Sequence, residues 1–181
     1  MLFTLFLFTT LLTAADPQFG TSTVTIGAGT AIPGSGYRAF RFQTGAAFAV
    51  EYEFRLHKFF AATIGMENDV HTAKNFGREP QRDSRERITR FPFGLRAILP
   101  INAGRVELFA GTGGAPYTSS DYELSNSFLK NSVLWHVNGG LRVALDSKHR
   151  FFLGPTVRHY RDVGRPTEQW TSLTAEFGFR F

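Results

Sequence analysis

The residues with the most evident chemical potential sit in one short run, His159-Tyr160-Arg161-Asp162, followed by Gly164, Arg165-Pro166 and Glu168. An imidazole and a nearby carboxylate are the groups that make a general base and the acid that orients it, but ester cleavage by such a pair needs a hydroxyl or thiol to activate. The run supplies neither: position 161 is Arg, and the chain has no cysteine. His159 and Glu168 are thus candidates without a nucleophile, and the preferred expectation is that the protein is not an enzyme. The other histidines, His57, His71, His136 and His149, are scattered and form no His-x-x-x-His pair, so no metal centre and no cofactor is expected. Gly111-Thr112-Gly113-Gly114 has neither a following Lys nor a helix pattern, and reads as a strand-to-loop turn, not a phosphate cradle.

A larger set of charges is more informative. Glu51, Glu53, Arg55, Glu67, Arg90, Arg96, Arg105, Glu107, Arg142, Arg158, Glu176 and Arg180 alternate with apolar residues. Alternation places them on one face of a sheet and the apolar residues on the other. The last segment shows this most plainly: Leu173, Ala175, Phe177, Phe179 and Phe181 share a face, against Ser172, Thr174, Glu176, Gly178 and Arg180. From Phe40 to Leu56, the residues Phe42, Phe48, Val50, Tyr52 and Phe54 oppose Arg41, Glu51, Glu53 and Arg55. The same split runs from Thr89 to Leu99 and from Asn131 to Leu145. Shorter versions cover Thr23–Gly29, Phe59–Glu67, Arg105–Gly111 and Arg150–Tyr160.

These eight segments each approach the ~10 residues that a tilted strand needs to cross a bilayer. Their connections alternate in length. Short ones lie around Leu56-His57-Lys58, Asn102-Ala103-Gly104 and Asp146-Ser147-Lys148; long ones span Thr30–Ala39, Asn68–Ile88, Thr112–Lys130 and Arg161–Gln169. The expected fold is all-β: an eight-stranded antiparallel up-and-down transmembrane β-barrel with short periplasmic turns and long extracellular loops. A soluble eight-stranded barrel of the lipocalin kind faces polar residues outward and keeps an apolar interior, and so many charges cannot fill a dry soluble core unpaired. They fit a narrow lumen as arginine–carboxylate pairs, which predicts a plugged interior. Pro92 and Pro155 fall inside proposed strands, where a missing N–H predicts a bulge or a strand end.

Composition agrees. Phe occurs 20 times and Gly 18 times in 181 residues, a β-rich usage. Residues 1–15 carry no charge, are apolar from Leu2 to Leu12, and end in the small residues Thr13-Ala14-Ala15. They read as a secretory signal peptide, although no Lys or Arg precedes the apolar run. Residues 16–181 then form the barrel domain. The net charge of +5 is not gathered on one stripe, which argues against nucleic acid as a partner.

The terminal row Leu173, Ala175, Phe177, Phe179, Phe181 resembles the C-terminal signature of bacterial outer-membrane barrels. With the eight segments, the resemblance covers roughly residues 21–181 and is to the small outer-membrane proteins of the A, X and W kind. It implies a Gram-negative outer membrane, recognition by the barrel-assembly machinery, and contact with outer-membrane lipid and lipopolysaccharide; a monomer is expected. The His159 run also resembles the last-loop region of lipid A 3-O-deacylases, barrels with a His-x-Ser-Asn segment and a Ser–His–Glu triad. The departures are Arg161 in place of Ser and Asp162 in place of Asn. Lys74, Arg78, Arg82, Arg85 and Arg87, in the second long connection, are candidate contacts for lipopolysaccharide. Tyr117, Tyr122, Leu124 and Phe128 are candidate exposed apolar residues of the third. The expected role is structural or interactive, exerted through loops in envelope integrity or at the cell surface. A lipid A deacylase-like esterase and a conduit for small apolar molecules are the alternatives.

Overall fold

In a lipid environment no water is present to satisfy backbone N–H and C=O groups, so strands can cross only if their ladder closes on itself. The computed structural model shows such a closure. It describes residues 20–34, 40–75, 83–121, 132–164 and 169–181; the proposed signal segment lies outside them. The described residues form ten strands: β1 (Ser22–Pro33), β2 (Phe40–Phe42), β3 (Gly45–His57), β4 (Phe60–Asn75), β5 (Asp83–Arg90), β6 (Phe93–Ile101), β7 (Val106–Asp121), β8 (Ser132–Ala144), β9 (Phe151–Asp162) and β10 (Gln169–Arg180). They make eight staves. β2 and β3 both pair with β4, and β5 and β6 both pair with β4 and β7, so each couple is one stave with a local break. All neighbours are antiparallel, and β1 seals the ring between β3 and β10.

The faces follow the alternation. Ile26, Phe48, Val50, Ile64, Leu95 and Phe177 are exposed on the outer wall, while Glu51, Glu53, Arg55 and Arg96 are buried inside. An exposed apolar band of this kind around a closed sheet is the surface that hydrocarbon covers.

The paired backbone continues well beyond that band, and this corrects the expected loops. β4 runs on to Asn75 and β5 starts at Asp83, inside what the sequence suggests is a loop from Asn68 to Ile88. β7 likewise reaches Asp121. Above the hydrocarbon the outward side chains become polar, so the apolar–polar alternation fades although the ladder does not. Gly111–Gly114 therefore lies within β7 and is not a turn. A Cβ built at Gly113 would stand 1.9 Å from the Phe93 carbonyl oxygen, so glycine is what lets β6 approach there.

The two prolines behave differently. Pro92 separates β5 from β6, and the gap is bridged by the Gly65 N–H donating to the Pro92 carbonyl (2.8 Å) and the Phe91 N–H to that of Pro116 (2.9 Å). Pro155 causes neither a bulge nor a strand end. The β8–β9 ladder passes from Gly140↔Thr156 to Val143↔Leu153 in one register, skipping only the pairs beside it. At the short-turn end, Asp146 accepts backbone N–H bonds from Phe151 (2.9 Å), Arg150 (2.7 Å) and Lys148 (3.2 Å). The Phe151 N–H first, then those of Arg150 and Lys148, hold its carboxyl below the usual carboxylate range.

Gly154 marks the tightest seam, since a Cβ there would meet the Leu141 carbonyl oxygen at 1.8 Å. Gly154→Val is expected to cost about 1–3 kcal/mol or more through forced displacement of β8. It should reduce the compact, fast-migrating band of unheated protein in gel electrophoresis, while Ser147→Val in the exposed turn should leave that band as it is.

Candidate functional site

The lumen gathers charge from all sides of the barrel. Nearest the short turns, Glu107 of β7 is the hub. It accepts from Arg55 Nη2 of β3 (2.9 Å), Arg142 Nε of β8 (2.7 Å) and Arg180 Nη2 of β10 (2.9 Å). Glu53 takes Arg142 Nη2 (2.6 Å) and Arg96 Nη1 of β6 (2.9 Å). At mid-height, Glu51 pairs with Arg96 Nη1 (2.6 Å) and Arg158 Nη2 of β9 (3.3 Å), and Glu176 with Arg158 Nη1 (2.5 Å). Toward the long-loop end, Arg90 is held by Glu67 Oε1 (3.2 Å) and by Asp69, and the Tyr160 hydroxyl donates to Glu67 Oε2 (3.1 Å). Each arginine thereby meets carboxylates from other staves, the arrangement in which a buried charge is tolerated.

Aromatic rings carry the guanidinium faces. Arg96 lies 4.4 Å from the Phe109 centroid, Arg180 4.1 Å from Phe152, and Arg90 4.6 Å from Tyr160. Above the charges, Ile88, Ala115, Tyr117, Leu134, Tyr160 and Trp170 form a buried apolar cluster. Tyr117 reaches Asp162 (3.2 Å) through its hydroxyl and packs 6.0 Å from Trp170.

Of the residues singled out by sequence as luminal, Glu51, Glu53, Arg55, Glu67, Arg90, Arg96, Glu107, Arg142, Arg158, Glu176 and Arg180 are all buried inside. Arg105 is not. It is exposed in the turn before β7, its N–H bonded to the Asn102 carbonyl (3.1 Å), because the ladder that would aim it inward starts one residue later. Asp69, His71 and Asp162 are luminal and were missed, as was the apolar cluster, while His136 is buried on the polar face that the alternation from Asn131 to Leu145 assigns to it. Tyr117, expected to be exposed in the third long connection, is inside, and so is Tyr160, which shares its strand face with Arg158 and Asp162, a parity already present in the sequence.

On the outer wall near the long-loop end, His159 faces outward as expected, and its Nδ1 lies 3.0 Å from Thr171 Oγ1. The hydroxyl absent from the local run thus arrives from the neighbouring strand, through the cross-strand pair Thr171↔His159. Among the described residues no carboxylate pairs with His159, and Glu168 lies outside them. Of the five basic residues expected in one loop, Lys74 lies on β4 and Arg85 and Arg87 are exposed on β5, while Arg78 and Arg82 lie outside the described residues. Tyr122, Leu124 and Phe128 lie outside them too. No cluster of three or more metal-binding side chains occurs among the described residues.

No protein-family model matches the chain, and no curated protein matches it in sequence. Solved structures do. The chain is similar to the outer membrane protein OprG from Pseudomonas aeruginosa (TM-score 0.68, 11% identity, covering 90% of this chain and 96% of that one). It is similar to Ail, the attachment invasion locus protein of Yersinia pestis (TM-score 0.61, 12% identity, 91% and 100%). Neisserial surface protein A aligns comparably (TM-score 0.61, 13% identity, 92% and 99%). At these identities the likeness establishes the fold, and the fold is that of the small eight-stranded outer-membrane β-barrels.

Proposed function

We propose that this outer-membrane barrel is neither an enzyme nor an open channel: side chains plug its lumen, and it acts through its extracellular end in envelope integrity or surface interaction. The observation that carries the reading is the bridging of the lumen by shared carboxylates. Glu107 alone ties β3, β8 and β10 to β7, and Glu51 ties β6 and β9 to β3. Those carboxylates are nearly inaccessible, at 1% and 5% exposure, and a small lumen filled in this way has no continuous water path. The lipid-facing row Leu173, Ala175, Phe177, Phe179, Phe181, with Phe177 and Phe179 flanking Phe151 at 6.0 and 5.2 Å, suits recognition by the barrel-assembly machinery. A conduit for apolar molecules would need a lateral gap, and the break in the wall at Pro92 is hydrogen-bonded to both neighbouring staves.

A second reading is favoured by one contact. The His159–Thr171 pair places a base beside a hydroxyl on the lipid-facing wall, the minimum for an esterase acting on lipid A. Against it stands the lack, among the described residues, of a carboxylate to orient the ring.

Three measurements decide. Planar-bilayer recording of the refolded protein should show no large steady conductance; a steady open current would overturn the plugged lumen. Glu107→Ala leaves three guanidinium groups around one vacancy and is expected to destabilise the barrel by about 3–5 kcal/mol in urea unfolding. Mass spectrometry of lipid A should find the same species in cells with and without the protein; a missing acyl chain that Thr171→Ala restores would establish the esterase instead.

A further inference from the structure

Two clefts in the outer wall adjoin at Phe48 and Asn68 and differ in character. The upper one, about 470 Å³, is lined by Phe48, Asn68, Val70, Arg85 and Arg87. The lower one, about 490 Å³, continues along the wall past Met66, Ile26 and the small pair Ala28 and Ala175. Ala28 and Ala175 are cross-strand partners, and their short side chains leave a trough between Phe48 and Phe177.

The height of the arginines follows from the register. Val70 is the last exposed apolar residue on β4, and it pairs with Arg87; Thr72, the next outward residue, pairs with Arg85. Both arginines therefore stand where the apolar band gives way to polar surface. Arginine stems can lie on such a wall with their heads at the interface. Arg87 Nε donates to Asn68 Oδ1 (3.1 Å), which also accepts from Thr89 Oγ1 (2.8 Å), so one guanidinium is oriented by the floor of its own cleft. Neither arginine has a carboxylate partner among the described residues, unlike the arginines of the lumen.

We infer that these joined clefts bind one phosphorylated lipid of the outer leaflet, of the lipid A kind, its phosphate on Arg85 and Arg87 and an acyl chain in the trough over Ala28 and Ala175. A cationic rim recognises an anionic headgroup, and an apolar trough directly beneath it selects for a ligand carrying both parts. A free anion would use only the upper cleft, and a neutral lipid only the lower. This goes beyond the proposed plugged lumen, because a barrel can be closed to ions whether or not its wall holds lipid.

The test is native mass spectrometry of the detergent-solubilised full chain. The probes are diphosphoryl lipid A, the same lipid stripped of phosphate, phosphatidylglycerol, and glucosamine 1-phosphate without acyl chains. Diphosphoryl lipid A should bind at least roughly tenfold more tightly than each of the others, as expected for loss of charge-assisted bonds or of the buried chain. Arg85→Gln with Arg87→Gln should remove that preference, and Arg161→Gln, exposed on β9 near the same rim, should leave it intact. Ala28→Trp should weaken lipid A binding by filling the trough. If that variant fails to give the fast-migrating folded band, the acyl-free probe still tests the need for a chain. Equal binding of stripped lipid or phosphatidylglycerol, or equal losses in the β5 and β9 variants, would overturn the inference. Conductance of the β5 variant should match the parent, so failure here is separable from failure of the plugged lumen.

Discussion

Closure of the hydrogen-bond ladder is the constraint on which everything else in this protein rests. A sheet with an open edge cannot sit in hydrocarbon, because each unpaired backbone group there costs several kcal/mol. Pairing β1 with both β3 and β10 removes the edge. Once closed, the sheet has one inside and one outside, and period-two alternation assigns every side chain to one of them. The apolar exterior and the charged interior are two results of one geometric decision. The tolerated breaks obey the same rule: at Pro92 the wall loses ladder pairs, yet single hydrogen bonds to both neighbouring staves keep it sealed.

Burying so much charge works because the charges are shared. A lone arginine inside would carry a heavy desolvation penalty, but here Glu51, Glu53, Glu67 and Glu107 each serve two or more guanidinium groups, and the rings of Phe109, Phe152 and Tyr160 cover guanidinium faces. Ion pairs line the interior toward the short turns, and the Tyr117–Trp170 cluster lies above them. The outer wall uses arginine differently. Arg85 and Arg87 stand at the edge of the apolar band, and among the described residues neither is paired with a carboxylate.

The sequence disclosed much of this, for physical reasons that also explain where it stopped. Within the hydrocarbon layer one face must be apolar and the other polar, so residues such as Phe48, Glu51 and Arg96 announce their sides. Beyond the layer the outer face is no longer apolar and the inner face is no longer uniformly polar, so the extensions of β4 to Asn75 and β7 to Asp121 leave no apolar-out, polar-in alternation to read. Arg105 kept its parity but not its ladder, and so faces water. The aromatic cluster was obscured because Tyr160 and Trp170 are types that also belong at membrane surfaces; only their parity with Asp162 and Ser172 distinguishes them. The Thr171 hydroxyl beside His159 comes from register between strands, which no local motif encodes.

The luminal pairs join residues far apart along the chain: Arg158 and Glu51 are separated by 107 positions, and Arg142 and Glu53 by 89. The β4–β5 and β9–β10 hairpins bring pairs of their own, Arg90–Glu67 and Arg158–Glu176, but Glu51, Glu53 and Arg142 would enter hydrocarbon in a lone hairpin before their partners had been delivered. Stepwise threading of single hairpins is therefore disfavoured. Neutralisation of Glu51, Glu53 and Glu107 is complete only when staves from both halves of the chain meet, which couples membrane crossing by the charged faces to assembly of the whole barrel.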